Sequence, residues 1–255
     1  MLVSNDDGYL SPGLYLLAES VKDLGEVVIA STEFPRSATG REITFNRPLR
    51  LLKKKWLNWN VYVTDGTPID SLHLVIEILK FKPDIVLSGI NVGDNLSLQH
   101  IFYSGTVAIA IEAALMGIPS IAFSSDVESF EDFEKESFKN ITTLISRKIV
   151  EYVSRKGLPS VVDVLSVNIP VRFRNCVRVV RATKTRWEAS YRKSVDPRGR
   201  EYYWLAGIRS VAEPESDVSL FEEGCVTITP LKINLNVDHE TLAKLSELEH
   251  ILRTE

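Results

Sequence analysis

Short apolar segments alternate with helical patterns over the first 156 residues, and this alternation constrains the fold more than any other feature of the sequence. Ser11-Pro12 and Thr67-Pro68 each place a capping residue before a proline, which is a usual start of a helix. Because apolar strands that alternate with helices are typical of parallel sheets, the sequence predicts an α/β fold with a doubly wound, mostly parallel sheet. The predicted strands are MLVS (1–4), EVVIAS (26–31), VYVT (61–64), DIVLS (84–88) and PSIAFSS (119–125), and the predicted helices span 11–24, 67–81, 107–117 and 132–156.

The pattern changes after about residue 170. The segments VRVVRAT (177–183), EYYWLAGI (201–208) and CVTITP (225–230) have the composition of strands, and no helical pattern separates them. The segment HETLAKLSELEHIL (239–252) predicts a helix close to the C-terminus. We therefore expect an α/β core, then a β-rich arm, then a terminal helix.

Composition excludes several classes of protein. The 255 residues are 44% hydrophobic and 25% charged, with a net charge of −4, so no overall basic field favours nucleic acid or an anionic membrane. No apolar run is long enough for a membrane span, and the first residues lack the pattern of a signal peptide, which predicts a cytoplasmic location. Cys176 and Cys225 fit that location as buried thiols, although a single bridge stays open.

Polar side chains follow most of the predicted strands at the point where each strand ends. In open α/β sheets the carboxyl ends of the strands form the ligand-binding edge, so these segments are expected to converge there. The Gly- and Asn-rich segment after the fourth strand is expected to be a loop that runs to Gly105. The converging segments are NDDG (5–8), PRSATGREIT (35–44), DGTPID (65–70), SGINVGDN (88–95) and YSGT (103–106).

The adjacent carboxylates of Asp6 and Asp7 predict a cation, because two neighbouring charges of the same sign repel each other unless a cation offsets them. Mg²⁺ and Mn²⁺ prefer oxygen ligands, and Ser37 and Asn91 offer a hydroxyl and an amide oxygen from neighbouring loops. The four histidines show no pairing at metal-ligand spacing, which argues against zinc. Taken alone, an Asp-Asp-Gly turn has a purely structural interpretation as a turn and helix cap.

Ser104-Gly105-Thr106 precedes a predicted helix, where free backbone N–H groups and the helix dipole favour an anion. A cation site beside an anion site suggests a phosphate ester as the ligand. The same hydroxyls are equally suited to capping the helix, and the sequence leaves that alternative open.

The segments VSNDDG, PRSATGREIT, DGTPID, SGINVGDN and YSGTVAIAIEA, in this order, resemble the SurE (survival protein E) family of metal-dependent phosphatases that act on nucleoside monophosphates. Further along, RWEASYRKSVDPRGREYYWLAG resembles the β-hairpin region of the family, and VTITPL resembles its last core strand. The sequence departs from the family pattern at Ser97, where glycine is usual, and at Ser71, where cysteine is usual.

The resemblance implies a Rossmann-like core over residues 1–170, followed over 171–255 by a hairpin arm, a returning strand and a C-terminal helix that serve oligomerisation into a homodimer or homotetramer. It implies one divalent ion per subunit, Mg²⁺ or Mn²⁺, and 5'-nucleotidase activity, with 3'-nucleotides or short polyphosphate as further substrates in some members. The expected mechanism is attack by water, with Asp6 or Asp7 as the base. The implied metal ligands are Asp6, Asp7, Ser37 and Asn91, and the implied phosphate ligands are Asn95, Ser104, Gly105 and Thr106.

Two other functions fit parts of the sequence. An aspartyl-phosphate enzyme is the first, but its nucleophile usually lies in an alternating DxD motif, whereas Asp6 and Asp7 are adjacent. A binding protein for nucleotides or single-stranded nucleic acid is the second, because basic and aromatic residues alternate between 172 and 209. An oligomerisation arm with solvated arginines explains the same pattern and is the preferred interpretation, so no nucleic-acid partner is expected.

Overall fold

A nine-stranded sheet forms the centre of the protein, whose computed structural model describes residues 1–184 and 187–253. Its strand order is β3-β4-β2-β1-β5-β6-β7-β11-β8, and the six strands from β4 to β7 are parallel. The strands are β1 (Leu2–Ser4), β2 (Val28–Thr32), β3 (Leu51–Trp56), β4 (Trp59–Thr64), β5 (Val86–Val92), β6 (Ser120–Ser125), β7 (Val164–Asn168), β8 (Cys176–Val179), β9 (Trp187–Val195), β10 (Glu201–Arg209) and β11 (Cys225–Leu231). This confirms the predicted α/β class with a mostly parallel sheet.

Helices cover both faces of the sheet, because neighbouring strand residues point to opposite sides. In β1, Val3 belongs to the apolar cluster with Leu14 of the first helix, whereas Leu2 belongs to the cluster with Leu72 and Ile109 on the other face. Two short 3₁₀ turns, at Lys22–Leu24 and Phe130–Glu134, supplement the α-helices. The α-helices are α1 (Pro12–Val21), α2 (Pro68–Ile78), α3 (Ser97–Tyr103), α4 (Gly105–Leu115), α5 (Glu136–Lys156), α6 (Asp217–Glu222), α7 (His239–Leu245) and α8 (Glu247–Arg253).

The strand order reverses at β1, and this reversal positions the site. From β1 the chain continues outward to β2 and then β4, whereas β5, β6 and β7 extend the sheet in the opposite direction. At such a switch point the loops after two adjacent strands separate, which opens a crevice at their carboxyl ends. Here the two strands are β1 and β5, so the loops that follow them form the two sides of the crevice.

Several segments differ from the sequence prediction. The loop expected up to Gly105 contains the helix α3. Two strands, β3 and β7, lie in segments for which no strand is predicted; β3 pairs antiparallel with β4 at the edge of the sheet. The single terminal helix predicted over 239–252 is two short helices, α7 and α8, which meet at Ser246.

The C-terminal third of the chain adds two strands, β11 and β8, to the sheet beyond β7, at the end opposite β3. Strand β11 runs antiparallel to β7, and β8 runs parallel to β11, while β9 and β10 form a separate two-stranded hairpin. Cys176 and Cys225 are register partners in β8 and β11 and form a disulfide with Cα atoms 4.4 Å apart, so their interpretation as buried thiols is wrong. The division into a core over 1–170 and an arm over 171–255 stays a prediction.

Across residues 1–184 and 187–253, no single helix is both long and apolar enough to cross a membrane. Helices α3 and α4 taken together are long and apolar enough, but they are bent by 78° at the residue that joins them.

Candidate active site

A cavity of about 220 Å³ lies at the carboxyl ends of the central strands. Five of the side chains predicted to form the site line it: Asp6, Ser37, Asn91, Asn95 and Ser104. They come from four separate segments of the chain, which the parallel strands bring to one edge. Of the other predicted residues, Asp7 and Gly105 lie directly next to lining residues in the sequence, and Thr106 lies two positions after Ser104.

Asp6 follows β1 and is nearly inaccessible, with 3% of its surface exposed. The Thr106 hydroxyl donates a hydrogen bond to its Oδ1, and the backbone N–H groups of Gly105 and Thr106 also face the carboxylate. A Cβ atom on Gly105 would lie 2.7 Å from Oδ2 of Asp6, closer than any side chain tolerates. Glycine at position 105 is therefore what allows the carboxylate to lie against the start of α4.

Asp7 is 8% exposed, and its Oδ2 accepts a hydrogen bond of 3.0 Å from the backbone N–H of Val92. Burial raises the pKa of the Asp7 carboxyl to about 8, and the neighbouring charge of Asp6 adds to the rise. Burial also raises the pKa of Asp6, although hydrogen bonds from Thr106 oppose it. Among the described residues, no basic side chain forms an ion pair with either carboxylate, so the described part of the protein supplies no counter-charge to the pair.

Asn91, in β5, presents its amide oxygen to the same place. Its Nδ2 donates to two backbone carbonyls, that of Gly93 at 2.7 Å and that of Val92 at 3.2 Å. Since these bonds occupy the nitrogen, Oδ1 is directed away from them, and it lies 3.4 Å from the Thr106 hydroxyl that contacts Asp6. An oxygen fixed in this way is suited to binding a cation.

The donor set fits a hard divalent cation. It combines two carboxylates and an amide oxygen with the hydroxyl of Ser37, which is exposed on the loop after β2. Within the described part of the chain, no group of three or more His, Cys, Asp or Glu side chains could hold a metal ion. Zinc, which prefers nitrogen and sulfur ligands, does not fit this set, whereas Mg²⁺ and Mn²⁺ do.

The side chains predicted to bind phosphate already form hydrogen bonds within the protein. Ser104 caps α4, and its hydroxyl accepts a hydrogen bond of 3.0 Å from the N–H of Val107. Asn95 donates from Nδ2 to the Ser124 hydroxyl at 2.7 Å, which fixes the orientation of its amide. Because Thr106 and the first N–H groups of α4 face Asp6, the phosphate contacts of this turn stay a prediction.

Two further polar side chains, which the sequence reasoning did not select, also line the cavity. His100 and Tyr103 both belong to α3, and His100 lies 3.1 Å from a carboxylate oxygen of Asp94. The sequence reasoning considered the histidines only as metal ligands, and it assigned the segment around His100 to a loop. A helical interpretation of SLQHIFY would have placed these side chains near the start of α4.

Comparison with known proteins identifies the family of the chain. A family model described as survival protein SurE matches residues 1–191. The chain is similar to a 5'-nucleotidase SurE of Hyperthermus butylicus, at 44% identity over 253 residues that cover 97% of this chain and 89% of the relative. A 5'-nucleotidase SurE of Thermofilum pendens is 41% identical over 235 residues, which cover 92% and 90% of the two chains.

The crystal structure of the SurE protein from Aquifex aeolicus has the same fold, with a TM-score of 0.79 and 36% identity. The alignment covers 97% of this chain and 98% of that chain. The match to the family model over residues 1–191 and the near-complete coverage by these relatives show that the chain belongs to the survival protein SurE family.

Proposed function

We propose that this chain is a metal-dependent phosphatase that hydrolyses nucleoside monophosphates, acting as a 5'-nucleotidase. One observation carries the proposal: two adjacent buried carboxylates without a cationic partner among the described residues meet the amide oxygen of Asn91 at the switch point of the sheet. The names of the similar proteins from Hyperthermus butylicus and Thermofilum pendens support it. They do not favour the alternative of a nucleotide- or nucleic-acid-binding protein without catalysis.

In this proposal Asp6, Asp7, Ser37 and Asn91 hold one divalent ion per subunit, Mg²⁺ or Mn²⁺. Such an ion, when bound, acts as a Lewis acid and offsets the charge of the phosphoryl group. Asn91 presents an oxygen because its nitrogen is held by backbone carbonyls, and the carboxylates remain ionised only if their repulsion is offset. The protein therefore holds the oxygen ligands in place before the ion binds, and the repulsion between the two carboxylates is unfavourable until it does.

The other residues act on the substrate. Asn95 and the turn Ser104-Gly105-Thr106 orient the phosphoryl oxygens, which favours in-line attack, since phosphoryl transfer depends mainly on positioning and charge stabilisation. A water molecule attacks phosphorus, and one carboxylate of the Asp6–Asp7 pair accepts its proton. Substrates with a 3'-phosphate and short polyphosphates present the same terminal group and belong to the proposed range.

We propose further that the protein works as a homodimer or homotetramer in the cytoplasm. The hairpin β9–β10 and the C-terminal helices expose large apolar side chains, among them Trp204, Leu205, Leu245 and Leu248. Exposed apolar clusters of this kind mark protein–protein interfaces. These two segments are the ones through which the subunits are proposed to associate.

The test is phosphate release from a panel of nucleoside 5'- and 3'-monophosphates, with EDTA and then with Mg²⁺ or Mn²⁺ restored. We expect EDTA to stop the release and the metal to restore it. Asp7→Asn should abolish turnover and weaken metal binding, measured by titration calorimetry. Asp163→Asn is the matched control, because Asp163 precedes β7 at the opposite edge of the sheet and accepts a hydrogen bond from Ile233.

Near-normal activity of the Asp7→Asn protein would contradict the proposed mechanism. Phosphate release that is unaffected by EDTA would mean that the carboxylates of Asp6 and Asp7 do not act by binding a metal ion. Absence of release with every metal and every nucleotide would contradict the function itself.

A further inference from the structure

The segment 36–41, the strap, connects the two sides of the catalytic cavity. It belongs to the loop between β2 and β3, and the proposed metal ligand Ser37 lines the cavity from it. At the start of the strap the backbone N–H of Arg36 donates a hydrogen bond of 2.7 Å to the carbonyl of Asp6, directly after β1 and its neighbouring loop residue. This contact fixes the strap to the β1 side of the cavity.

The other end of the strap is fixed to the opposite side. The N–H of Gly40 donates a hydrogen bond of 2.9 Å to the carbonyl of Tyr103, the last residue of α3. A Cβ atom at position 40 would lie 3.1 Å from the carbonyl oxygen of Phe102, and the φ angle of 54° also favours glycine. Glycine at position 40 therefore permits the close approach of the strap to α3.

An ion pair follows this backbone contact in the sequence. Nη2 of Arg41 donates a hydrogen bond to Oε2 of Glu112, in α4. The other carboxylate oxygen of Glu112, Oε1, lies 2.9 Å from Nε2 of His73, in α2. The Glu112 side chain is 17% exposed and has a partner at each oxygen, so it is a fixed point to which the strap is attached.

The position of Ser37 depends on these contacts, because its side chain is exposed and the core of the protein does not pack around it. A neutral hydroxyl contributes to a divalent site only when it is held near the other ligands, and the residues that orient a ligand affect metal affinity for this reason. We propose that Glu112 is a positioning residue of the metal site, which through Arg41 holds the strap so that Ser37 stays at the cavity beside Asp6 and Asn91. This inference rests on the metal-dependent function proposed above.

The test measures metal affinity without substrate, by calorimetric titration of the metal-free protein with Mn²⁺. Glu112→Gln and Arg41→Gln each remove the ion pair, but they change the charge of the protein in opposite directions. We expect both to weaken Mn²⁺ binding about fivefold, the upper end of what a partly exposed ion pair contributes. Plain electrostatic attraction would give opposite effects, because loss of a carboxylate disfavours a nearby cation and loss of a guanidinium favours it.

A double variant tests whether the ion pair acts through Ser37. Ser37→Ala alone should weaken Mn²⁺ binding, and Glu112→Gln added to Ser37→Ala should cause no further loss, whereas independent effects would add in free energy. Arg41→Gln, whose side chain is more exposed, provides the same comparison should Glu112→Gln fail to fold. Glu151→Gln is the matched control: Glu151 pairs with Arg147 at 3.1 Å in α5, on the other face of the sheet, and its replacement should leave the affinity unchanged.

Opposite changes in affinity for Glu112→Gln and Arg41→Gln would overturn the inference and leave the phosphatase function intact. Unchanged affinity in both variants, or additive losses in the double variant with Ser37→Ala, would overturn it as well. A wild-type protein that binds neither Mn²⁺ nor Mg²⁺ would overturn the proposed metal-dependent function, and this inference with it.

Discussion

Asp7→Asn should stabilise the metal-free protein, and the effect should increase with pH. The folded protein raises the pKa of the Asp7 carboxyl from 3.8 to about 8, chiefly by burial. Between these two pH values the folded state holds a proton that the unfolded state has lost, so the free energy of unfolding falls as the pH rises. Below the lower value both states are protonated, and the full stabilising contribution is present.

The size of the effect follows from the width of this interval. Each unit of pKa difference corresponds to about 1.4 kcal/mol, so about four units give a loss of at most about 6 kcal/mol by pH 8. That is comparable with the whole stability of a typical domain. Asparagine is neutral at every pH and can still accept the hydrogen bond from Val92, so Asp7→Asn should lose much less stability over the same range. Asp6 retains a pH dependence of stability of its own in both proteins, because burial raises the pKa of its carboxyl too.

The assay is urea unfolding in excess EDTA at about pH 5 and about pH 8, with free energies from linear extrapolation. Addition of Mg²⁺ or Mn²⁺ at the higher pH should stabilise the wild type by about 2.7 kcal/mol when the ion is at 100 times its Kd, and should stabilise the variant far less. Asp217→Asn is the control: Asp217 is equally buried, but the N–H groups of Ser97 and Thr183 bind it, so its replacement should destabilise the protein at both pH values. Parallel pH dependences for the wild type and Asp7→Asn in EDTA would refute the reasoning.

Two further predictions concern packing and covalent structure. Gly105→Ala should weaken metal binding by about tenfold or more, the usual effect of disturbing the residues that support a metal ligand. The reason is that the new Cβ atom would lie 2.7 Å from the carboxylate of Asp6. Calorimetric titration measures the affinity, Gly25→Ala serves as the control, and an unchanged affinity of Gly105→Ala would contradict the prediction. Reduction of the Cys176–Cys225 bridge, which spans 49 residues of sequence, should lower the free energy of unfolding by about 4 kcal/mol. Thermal unfolding with and without a reductant measures this loss, and an unchanged midpoint would show that the bridge contributes nothing to stability.

The sequence predicted the parallel centre of the fold because most of its strands contain a short apolar run and a helix with a recognisable start follows several of them. It did not predict β3, whose segment LLKKKW contains three lysines and lies at the edge of the sheet, where one side of a strand faces solvent. It missed α3 because the glycines and asparagines before the helix conceal the pattern of SLQHIFY. The disulfide depends on the position of β11 between β7 and β8, and a strand order of that kind is not encoded in local periodicity.

For the site, the sequence indicated which residues lie at the ligand-binding edge, because strand ends can be read from the chain. It could not indicate how those residues divide their hydrogen bonds. The Thr106 hydroxyl donates to Asp6, and this contact depends on the distance between β1 and α4. The Asn91 amide nitrogen donates to the carbonyls of the next two residues, and these contacts depend on the path of the backbone at the end of β5. The contact between Asp94 and His100 likewise requires the turn into α3, which the sequence reasoning did not contain.

The bridge between Cys176 and Cys225 closes the segment 176–225 into a covalent ring. The hairpin β9–β10 and helix α6 both lie between the two cysteines, so every residue from 177 to 224 belongs to a loop closed at its base. Exposed tips of hairpins are preferred sites of proteolysis. A single cut at the tip of this hairpin opens the ring but separates no fragment from the protein, and the nicked chain stays one molecule until the bridge is reduced. The segment between the two cysteines is therefore covalently attached at both of its ends, and a single proteolytic cut within it does not remove it from the protein.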